Sequence, residues 1–492
     1  MKRLLKNGTI VNVFTGELIK TNVLFENGII LGVDDYGDDE ADEVIDAAGK
    51  YICPGFIDGH IHIESTMLTC PEFAKTAVSH GTTAVIADPH EIANVSGKDG
   101  LRYMIESSEG LPLTVYFVIP SCVPATSFDE SGAVLSADDI EEFYSESRVL
   151  GLGEVMNYVG VVAGDGGLEK KIKSALSRGL VVNGHAPLLS GKPLDKYISA
   201  GIGDDHECSS ADEAKERIRK GQRIMIRQGT AARNLLGLIS LFDDPWEQRC
   251  LLVTDDKHPA DLISNGHIDS IIRSAVQMGK SAVTGIRMAT LHAAECFGLK
   301  NTGAVAPGYK ADLLVLDDLD KVIVRDVYKN GEKVVSDGKT LCFDMPKVND
   351  ALEKKVRSSF NLPMLSSSDF AVDYNGKRKC HVISLVDGQL LTDDLVSDID
   401  FDRNNGIDIE HDILKIAVIE RHHNTGHIGN AFIKGIGLKE GAIASSVAHD
   451  SHNLIVIGTN TDDMAFAANR IRELGGGIVS VKNGKVVAEM PL

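Results

Sequence analysis

The chain has 492 residues, of which 43% are hydrophobic and 25% charged, a composition typical of a globular protein with room for about three domains. Its 71 acidic and 50 basic residues give a formal charge of −21, which argues against a nucleic acid or an acidic membrane surface as a partner. Eight scattered cysteines without a C-x-x-C pair, and no segment near the roughly 20 apolar residues that span a bilayer, predict a reduced, cytoplasmic protein.

The first 50 residues have the pattern of short β-strands separated by turns. Strand-like runs lie at 8–13, 21–25 and 28–33, with glycine and asparagine between them. A similar pattern returns within residues 303–345. We predict that 1–50 and 303–345 pair into one small β-sandwich-like domain.

Between these pieces, short apolar runs alternate with helix-compatible segments. The strand-like runs are 51–57, 82–88, 113–119, 149–154, 180–184, 201–205, 223–227 and 251–254. The helix-compatible segments include 72–80, 136–146, 166–178 and 259–279. Eight such repeats over 51–302 predict an α/β fold of the (β/α)8 TIM-barrel type. An open doubly wound sheet is the alternative, but no G-x-G-x-x-G or Walker A sequence supports a nucleotide-binding version of it.

Residues 346–492 form a third region of mixed character. A charged, helix-like segment at 350–357 precedes strand-like runs at 380–386 and 413–419, and a glycine-rich stretch covers 426–441. This pattern predicts a separate C-terminal α/β domain.

His60 and His62 stand at the end of the first apolar run of the middle region. Side chains alternate along a strand, so the two imidazoles point to the same side and could clamp a metal ion. Imidazole suits several divalent metals, so the spacing does not select one. A solvated loop is the alternative, and further ligands at other strand ends must decide between the two.

Imidazoles and carboxylates also follow the other predicted strands, where barrel enzymes carry their chemistry. They are Asp88, His90 and Glu91 after the second run, Glu154 at the fourth, His185 after the fifth, His206 and Glu207 after the sixth, and Asp255 after the eighth. Four histidines with two carboxylates and no thiolate could hold one or two divalent ions.

The segment Pro54-Gly55-Phe56-Ile57-Asp58-Gly59-His60-Ile61-His62 resembles the signature of the amidohydrolase superfamily, which consists of metal-dependent (β/α)8 hydrolases. Further segments resemble the adenine deaminase family within it, and they are 59–67, 87–94, 153–157, 253–256 and 448–453. The resemblance covers essentially the whole chain. Members of that family are usually longer, so a loop or a terminal segment is expected to be shortened here.

The resemblance implies a set of metal ligands. Many binuclear members bridge their metals with a carboxylated lysine at the end of the fourth strand, and Glu154 stands at that place here. A salt-bridged structural glutamate is the alternative for Glu154. The resemblance implies two divalent ions per subunit, Mn²⁺ or Fe²⁺ with Zn²⁺ as a third candidate. The implied ligands are His60, His62, Glu154, His185, His206 and Asp255.

The activity that the resemblance implies is deamination of adenine to hypoxanthine and ammonia by a metal-activated hydroxide. Asp255 would carry the proton of the hydroxide to the leaving group. Glu207, and after it Glu64, are the candidates for the acid that protonates the ring nitrogen beside C6, although both could instead orient imidazoles. Adenine and water are the expected partners, with no nucleic acid or membrane, and a homo-oligomer is expected.

Four more residues are candidates for substrate binding, namely Asp88, His90, His449 and His452. A structural Asp-Pro turn with a capping histidine is the alternative for the first two. A solvated loop is the alternative for the last two, which the resemblance favours as part of a lid or wall at the barrel mouth.

Two other functions keep the predicted fold. A cyclic amide hydrolase of the dihydroorotase or hydantoinase kind typically uses the bridging lysine and lacks a region such as 346–492. A non-catalytic scaffold usually loses metal ligands, which are all present here. A cytidine-type zinc deaminase is excluded, because it needs Pro-Cys-x-x-Cys in addition to His-x-Glu.

Overall fold

The computed structural model describes residues 1–372, 376, 378–387, 392–402 and 404–492. The chain divides into two units, each with its own sheets and buried core. Unit 1 contains Met1–His90, Met104–Cys122 and Ser136–Val348, and unit 2 contains Glu91–Tyr103, Val123–Leu135 and Asn349–Leu492.

A nine-stranded sheet in unit 1 combines the two β-rich pieces predicted from the sequence. Its strands are β1 Arg3–Val11, β2 Leu18–Glu26, β3 Ile29–Asp34, β4 Glu43–Asp46, β5 Tyr51–Pro54, β14 Leu313–Asp318, β15 Ile323–Lys329, β16 Glu332–Ser336 and β17 Lys339–Thr340. Their order is β17-β16-β15-β14-β5-β1-β2-β3, with β4 beside β1. The antiparallel pairing of β5 with β14 joins the two pieces, which are far apart in the chain.

Eight parallel strands form the barrel of unit 1, which confirms the predicted (β/α)8 fold. They are β6 Phe56–Ile61, β7 Thr82–Ala87, β8 Thr114–Ile119, β9 Val149–Val155, β10 Val181–Gly184, β11 Asp204–Asp205, β12 Arg223–Arg227 and β13 Cys250–Val253. β6 to β10 form one sheet in chain order, and β11 to β13 form another. A parallel bridge between Ile61 and Asp255 joins the two sheets on one side, and the Gly203 amide donates to the Val182 carbonyl over 3.0 Å on the other.

The barrel strands are buried on both faces, as expected for parallel strands covered by helices. β6 and β7 are buried along their whole length. Ile57, Met225 and Leu251 pack in the interior cluster of the barrel. This packing holds the strand ends, and therefore the polar residues that follow them, at one edge of a rigid scaffold.

Twelve α-helices accompany these strands. They are α1 Cys70–Ser79, α2 His90–Ser107 (whose residues are divided between the units), α3 Ala137–Glu141, α4 Tyr158–Ala163, α5 Gly166–Ser177, α6 Gly191–Ser199, α7 Ala211–Arg219, α8 Leu235–Leu238, α9 Pro259–Ser264, α10 Ile268–Gln277, α11 Ala282–Met288 and α12 Leu291–Cys296. The single helix predicted over 259–279 is wrong, because α9 and α10 are separated at Gly266, whose φ of 100° is left-handed.

The single strand predicted over 51–57 is also wrong. β5 ends at Pro54 and belongs to the nine-stranded sheet, whereas β6 begins at Phe56 and belongs to the barrel. Gly55 lies at the break, where a Cβ atom would be 2.2 Å from the Thr83 hydroxyl oxygen. The chain changes sheets at Pro54-Gly55 because proline cannot donate to a ladder and only glycine fits beside Thr83.

Unit 2 contains an eight-stranded sheet and a long helix. The strands are β18 Lys379–Leu385, β19 Thr392–Asp398, β20 Ile413–Ile419, β21 Ile428–Lys434, β22 Ala442–Ser445, β23 Leu454–Gly458, β24 Gly477–Lys482 and β25 Lys485–Pro491, in the order β19-β18-β21-β20-β23-β22-β24-β25. The helices are α13 Asp350–Arg357 and α14 Thr461–Leu474. The α13 segment confirms the predicted helix at 350–357.

α14 packs against β23, β22 and β24 of this sheet. Its first turn is capped by the Asn460 side chain, which accepts the Asp463 amide over 2.8 Å, and it ends at Gly475 with a φ of 78°. Met464 and Ile471 pack in the same core cluster as Val456 of the sheet.

Among the described residues, no helix has both the length and the apolar character needed to cross a membrane. The domain limits expected from the sequence, which are 1–50 with 303–345, 51–302 and 346–492, stay predictions.

Candidate metal centre

Six side chains that were predicted as metal ligands converge at the carboxyl ends of the barrel strands. They are His60 and His62 at and just after the end of β6, Glu154 in β9, His185 after β10, His206 after β11 and Asp255 after β13. All are buried except His185, whose side chain is 26% exposed. The convergence follows from the barrel, in which every parallel strand ends at the same edge.

The first group of ligand atoms belongs to His60, His62 and Asp255. The two Nε2 atoms lie 3.2 Å apart, and each lies 3.3 Å from Oδ1 of Asp255. The Asp255 amide donates to the His60 carbonyl over 2.9 Å, and the φ of Asp255 is 58°. This left-handed conformation is unusual for a residue other than glycine and is typical of functional sites.

Glu154 faces a second group as well as the first. Its Oε1 lies 3.3 Å from Nε2 of His62, whereas its Oε2 lies 2.5 Å from Nδ1 of His185 and 3.1 Å from Nε2 of His206. The His185 and His206 nitrogen atoms are 3.2 Å apart. The carboxylate therefore has one oxygen on each side of the centre.

The spacing and the donor set fit divalent ions. Nitrogen and oxygen ligands bind Zn²⁺ at roughly 2.0–2.2 Å, so atoms that share an ion lie about 3.0–3.5 Å apart. The imidazole of His62 also has the required tautomer, because Nδ1 lies 2.8 Å from the main-chain carbonyl of Asp88 and must donate to it. Nε2 of His62 is then left as a lone-pair donor that faces the other ligands.

The electrostatics of the centre favour a cation. Burial raises the pKa of Glu154, but the neighbouring His185 and His206 hold it well below its usual range. Burial likewise opposes ionisation of Asp255, and the neighbouring imidazoles of His60 and His62 keep its pKa well below normal. Two ionised carboxylates in a buried site require positive charge beside them.

Arg227 is a site residue that the sequence analysis missed. It is the last residue of β12, and its Nη2 lies 2.9 Å from Oε2 of Glu207 while its Nη1 contacts Oε1 of the same carboxylate. The same Nη1 lies 3.4 Å from Oδ2 of Asp255. Its position at the end of a barrel strand is a sequence signal that would have identified Arg227 as a site residue.

Glu207 is the second carboxylate beside the centre and lies 3.4 Å from Nε2 of His206. Burial alone would raise the pKa of Glu207, but the hydrogen bond from His206 and the charges of His206, His185 and Arg227 lower it to about 2. Glu207 is therefore ionised at neutral pH. The other predicted acid, Glu64, lies in the 3₁₀ turn Ile63–Thr66 directly after His62.

Asp88 and His90 lie against the predicted ligands. Nδ1 of His90 is 3.4 Å from Oε1 of Glu154, and its ring is stacked at a tilt on His62 with centroids 4.4 Å apart. Oδ2 of Asp88 accepts the main-chain amide of Glu154 over 2.9 Å. The geometry gives Asp88 contacts with two of the predicted ligands.

His449 and His452 lie in unit 2, where both contact the buried carboxylate of Glu91. Nδ1 of His452 accepts the Ala448 amide over 3.2 Å, so its Nε2 carries the proton and donates to Oε2 of Glu91 over 2.7 Å. Nδ1 of His449 contacts Oε1. The sequence analysis placed Glu91 near the site but did not pair it with these histidines.

Comparison with known proteins agrees with this fold. Residues 51–341 match the model described as "Amidohydrolase family". The dihydropyrimidinase from Brevibacillus agri has a TM-score of 0.54 at 16% identity, covering 69% of this chain and 96% of that one. The zinc complex of the atrazine chlorohydrolase TrzN from Arthrobacter aurescens also has a TM-score of 0.54, at 16% identity, covering 72% of this chain and 98% of that one. The chain therefore has the amidohydrolase fold and belongs to the amidohydrolase family.

More specific matches extend over the whole chain. Residues 389–492 match the model described as "Adenine deaminase C-terminal domain". The adenine deaminase of Clostridium acetobutylicum is 44% identical, covering 99% of this chain and 85% of that protein, and the adenine deaminase of Petrotoga mobilis is 45% identical, covering 99% and 84%. The chain belongs to the adenine deaminase family of the amidohydrolases.

Proposed function

We propose that the chain hydrolyses adenine to hypoxanthine and ammonia, as a step of purine metabolism. The observation that carries this proposal is the 44% identity, over 99% of the chain, to a protein named adenine deaminase. The cluster of buried imidazoles and ionised carboxylates supports it, because hydrolysis at C6 of adenine needs an activated water and groups that move protons.

We infer that two divalent ions occupy the centre, Mn²⁺ or Fe²⁺ with Zn²⁺ as a third candidate. His60, His62 and Asp255 would hold one ion, and His185 and His206 would hold the other, with Glu154 between them. The chemistry that such ions supply when bound is a water molecule whose pKa is lowered toward neutrality. The carboxylate oxygens of Glu154, which face opposite sides, support a bridging role without a modified lysine.

In this proposal Asp255 moves the proton of the attacking water. Its carboxylate is ionised and buried, and it contacts His60, His62 and Arg227. Addition of water to C6 forms a C–O bond and leaves a proton to be removed, and Asp255 accepts it. The same proton then reaches the departing amine, the C–N bond breaks, and ammonia leaves. The new C6 hydroxyl gives up its proton and becomes the carbonyl of hypoxanthine, while the ring nitrogen beside C6 gains a proton.

Glu207 remains the first candidate for the group that serves the ring nitrogen, and Glu64 the second. Since Glu207 is ionised at neutral pH, it must take up a proton before it can donate one. Arg227 holds both oxygens of Glu207 and thereby fixes the direction in which the carboxylate points. This contact supports a role in which Glu207 first accepts a hydrogen bond from the substrate.

The substrate-binding roles of Asp88, His90, His449 and His452 stay predictions. The contacts of Asp88 with Glu154 and His62 support a positioning role for it instead. His90, beside Glu154, and His449, beside Glu91, remain candidates for contact with the purine. A homo-oligomer and a cytoplasmic location also stay predictions.

A substrate panel tests the proposal. Purified protein loaded with Mn²⁺ or Fe²⁺ is given adenine, other purines, a hydantoin and a dihydropyrimidine, and release of ammonia and opening of the rings are measured. We expect ammonia from adenine and no ring opening. Hydrolysis of the hydantoin or dihydropyrimidine, with no ammonia from adenine, would replace the proposal with a cyclic amide hydrolase. Inactivity on every substrate, despite bound metal, would favour the non-catalytic scaffold.

A further inference from the structure

A cavity of about 490 Å³ lies in unit 1, beside the segments that follow β12 and β13. It is lined by the loop that follows β12, by α9 and by α10, together with Lys257 from the segment after β13. None of the six predicted ligands belongs to its lining. The loops after the seventh and eighth strands of a barrel are frequent binding sites for phosphate groups.

Lys257 is the unusual member of this lining. Its residue is only 4% exposed, yet its ammonium has neither a hydrogen bond nor an ion pair within the part of the chain that the structure describes. Asp261, Asp269 and Asp58 are the carboxylates whose charges act on it. Because the ammonium keeps contact with solvent and Lys257 lines the cavity, an anion that enters the cavity can form a charge-assisted hydrogen bond with it.

The acidic neighbours of Lys257 are already engaged elsewhere. The Thr254 hydroxyl donates to Asp58 over 2.5 Å, the Thr230 hydroxyl donates to Asp261 over 2.8 Å, and Arg273 donates to Asp269 over 3.1 Å. None of them forms an ion pair with Lys257 among the described residues.

The cavity is cationic although the chain is strongly acidic. Arg233, Lys257 and Arg273 line it, against the single carboxylate of Asp261. The Arg233 side chain is 58% exposed, and its nearest carboxylate, on Asp261, lies 3.9 Å away. The guanidinium of Arg233 can therefore bind an anion in the cavity together with Lys257.

Gln228 contributes a buried hydrogen-bond acceptor that lacks a donor among the described residues. It lines the cavity, and the acceptor is its Oε1. An amide oxygen in that position needs a donor such as a hydroxyl group. The cavity is also far larger than a phosphate ion and falls in the size range of pockets for small organic ligands.

We propose that this cavity is a binding site for a sugar phosphate. Lys257 and Arg233 bind the phosphate group, and Gln228 accepts a hydrogen bond from a hydroxyl of the sugar. The site is separate from the proposed deaminase centre, so the proposal does not depend on the reaction.

Calorimetric titration of the full-length, metal-loaded protein with ribose 5-phosphate, and in parallel with inorganic phosphate, tests this site. We expect ribose 5-phosphate to bind more tightly than inorganic phosphate, and saturating hypoxanthine, the expected product at the deaminase centre, to leave its affinity unchanged. Lys257→Met should weaken binding of ribose 5-phosphate at least about tenfold, because a charge-assisted hydrogen bond is lost. Arg233→Gln should weaken it several-fold, and Lys300→Met, at an exposed lysine, should not change it.

Several results would overturn the proposal. One is the absence of binding at millimolar ribose 5-phosphate, and another is equal affinity of a folded Lys257→Met variant. Equal affinity for inorganic phosphate would show that no hydroxyl is recognised, and displacement by hypoxanthine would place the anion at the deaminase centre. If circular dichroism shows that Lys257→Met does not fold, the exposed Arg233→Gln variant decides, and unchanged affinity there counts against the site.

Discussion

The main-chain amide of Glu154 donates a hydrogen bond to the carboxylate of Asp88 over 2.9 Å. Asp88 also receives Nδ1–H of His62 on its main-chain carbonyl, over 2.8 Å. Gly153 makes this approach possible, since a Cβ atom there would lie 2.2 Å from Oδ2 of Asp88. One residue thus orients a ligand from each of two strands.

Removing the Asp88 carboxylate should loosen the centre without unfolding the barrel. We expect Asp88→Ala to weaken metal binding about 10- to 100-fold, as is usual when a group that orients a ligand is lost. Asp88→Asn keeps an oxygen that can accept the Glu154 amide and should lose less. Competition with a chelator of known affinity measures the effect, and an Asp88→Ala protein with unchanged metal affinity would show that Asp88 does not position the ligands.

Glu154→Gln should lower the metal content to about one ion per chain or less. The amide has one oxygen in place of two and carries no charge, so it cannot bridge two cations. Elemental analysis of the purified variant gives the stoichiometry. Glu169→Gln, at an exposed partner of Lys173, is the matched control and should keep the full content. Equal numbers of metal ions per chain in both variants would show that Glu154 does not bridge the two ions.

Arg227→Met should destabilise unit 1 by about 3–5 kcal/mol, because it removes the guanidinium that pairs with the buried carboxylates of Glu207 and Asp255. Arg227→Lys should recover only part of this loss, since an ammonium cannot hold both oxygens of Glu207. Urea unfolding measures both variants. The control is Arg325→Met, whose exposed ion pair with Asp337 is worth at most about 1 kcal/mol. Similar losses in Arg227→Met and Arg325→Met would contradict this role.

Lys415, buried in unit 2, predicts a pH dependence of stability. Its Nζ donates to the Phe370 carbonyl over 2.7 Å, and burial lowers its pKa to about 8 from the 10.5 of a free lysine. Between these values the unfolded chain binds more protons than the folded one, so this lysine makes stability rise with pH across that window. Below pH 8 the full cost of burying the charge is present.

Lys415→Met should remove that rise. The free energy of unfolding of the wild type, relative to the variant, should increase on the order of 3 kcal/mol between pH 7.5 and 10.5. Urea unfolding of both proteins across this range gives the difference. A difference that stays constant with pH would show that Lys415 has an ordinary pKa in the folded chain.

The clustering of the predicted ligands could be expected from the sequence because their positions obey simple local rules. Alternation along a strand places His60 and His62 on one side, and the barrel brings their strand end next to those of Glu154 and Asp255. Arg227 obeys the same rule, but a search restricted to metal-binding residue types passes over it. A guanidinium does not bind metal ions, so a pattern of metal ligands does not include Arg227.

Other features depend on contacts that no local pattern reveals. The break between β5 and β6 is set by the fit of Gly55 against Thr83, and the pairing of Glu91 with His452 joins residues 361 positions apart. The separation of α9 from α10 rests on the left-handed conformation of Gly266 within an otherwise helical pattern. Such features are decided by tertiary packing.

The most direct test of the central claim is the product balance of adenine turnover against the metal content of the same preparation. Hypoxanthine is measured by chromatography, ammonia by an enzymatic assay, and bound metal by elemental analysis. We predict one hypoxanthine and one ammonia for each adenine consumed, at a rate that rises with bound metal and is lost on chelation. Protein that binds two ions per chain and leaves adenine unchanged would contradict the account.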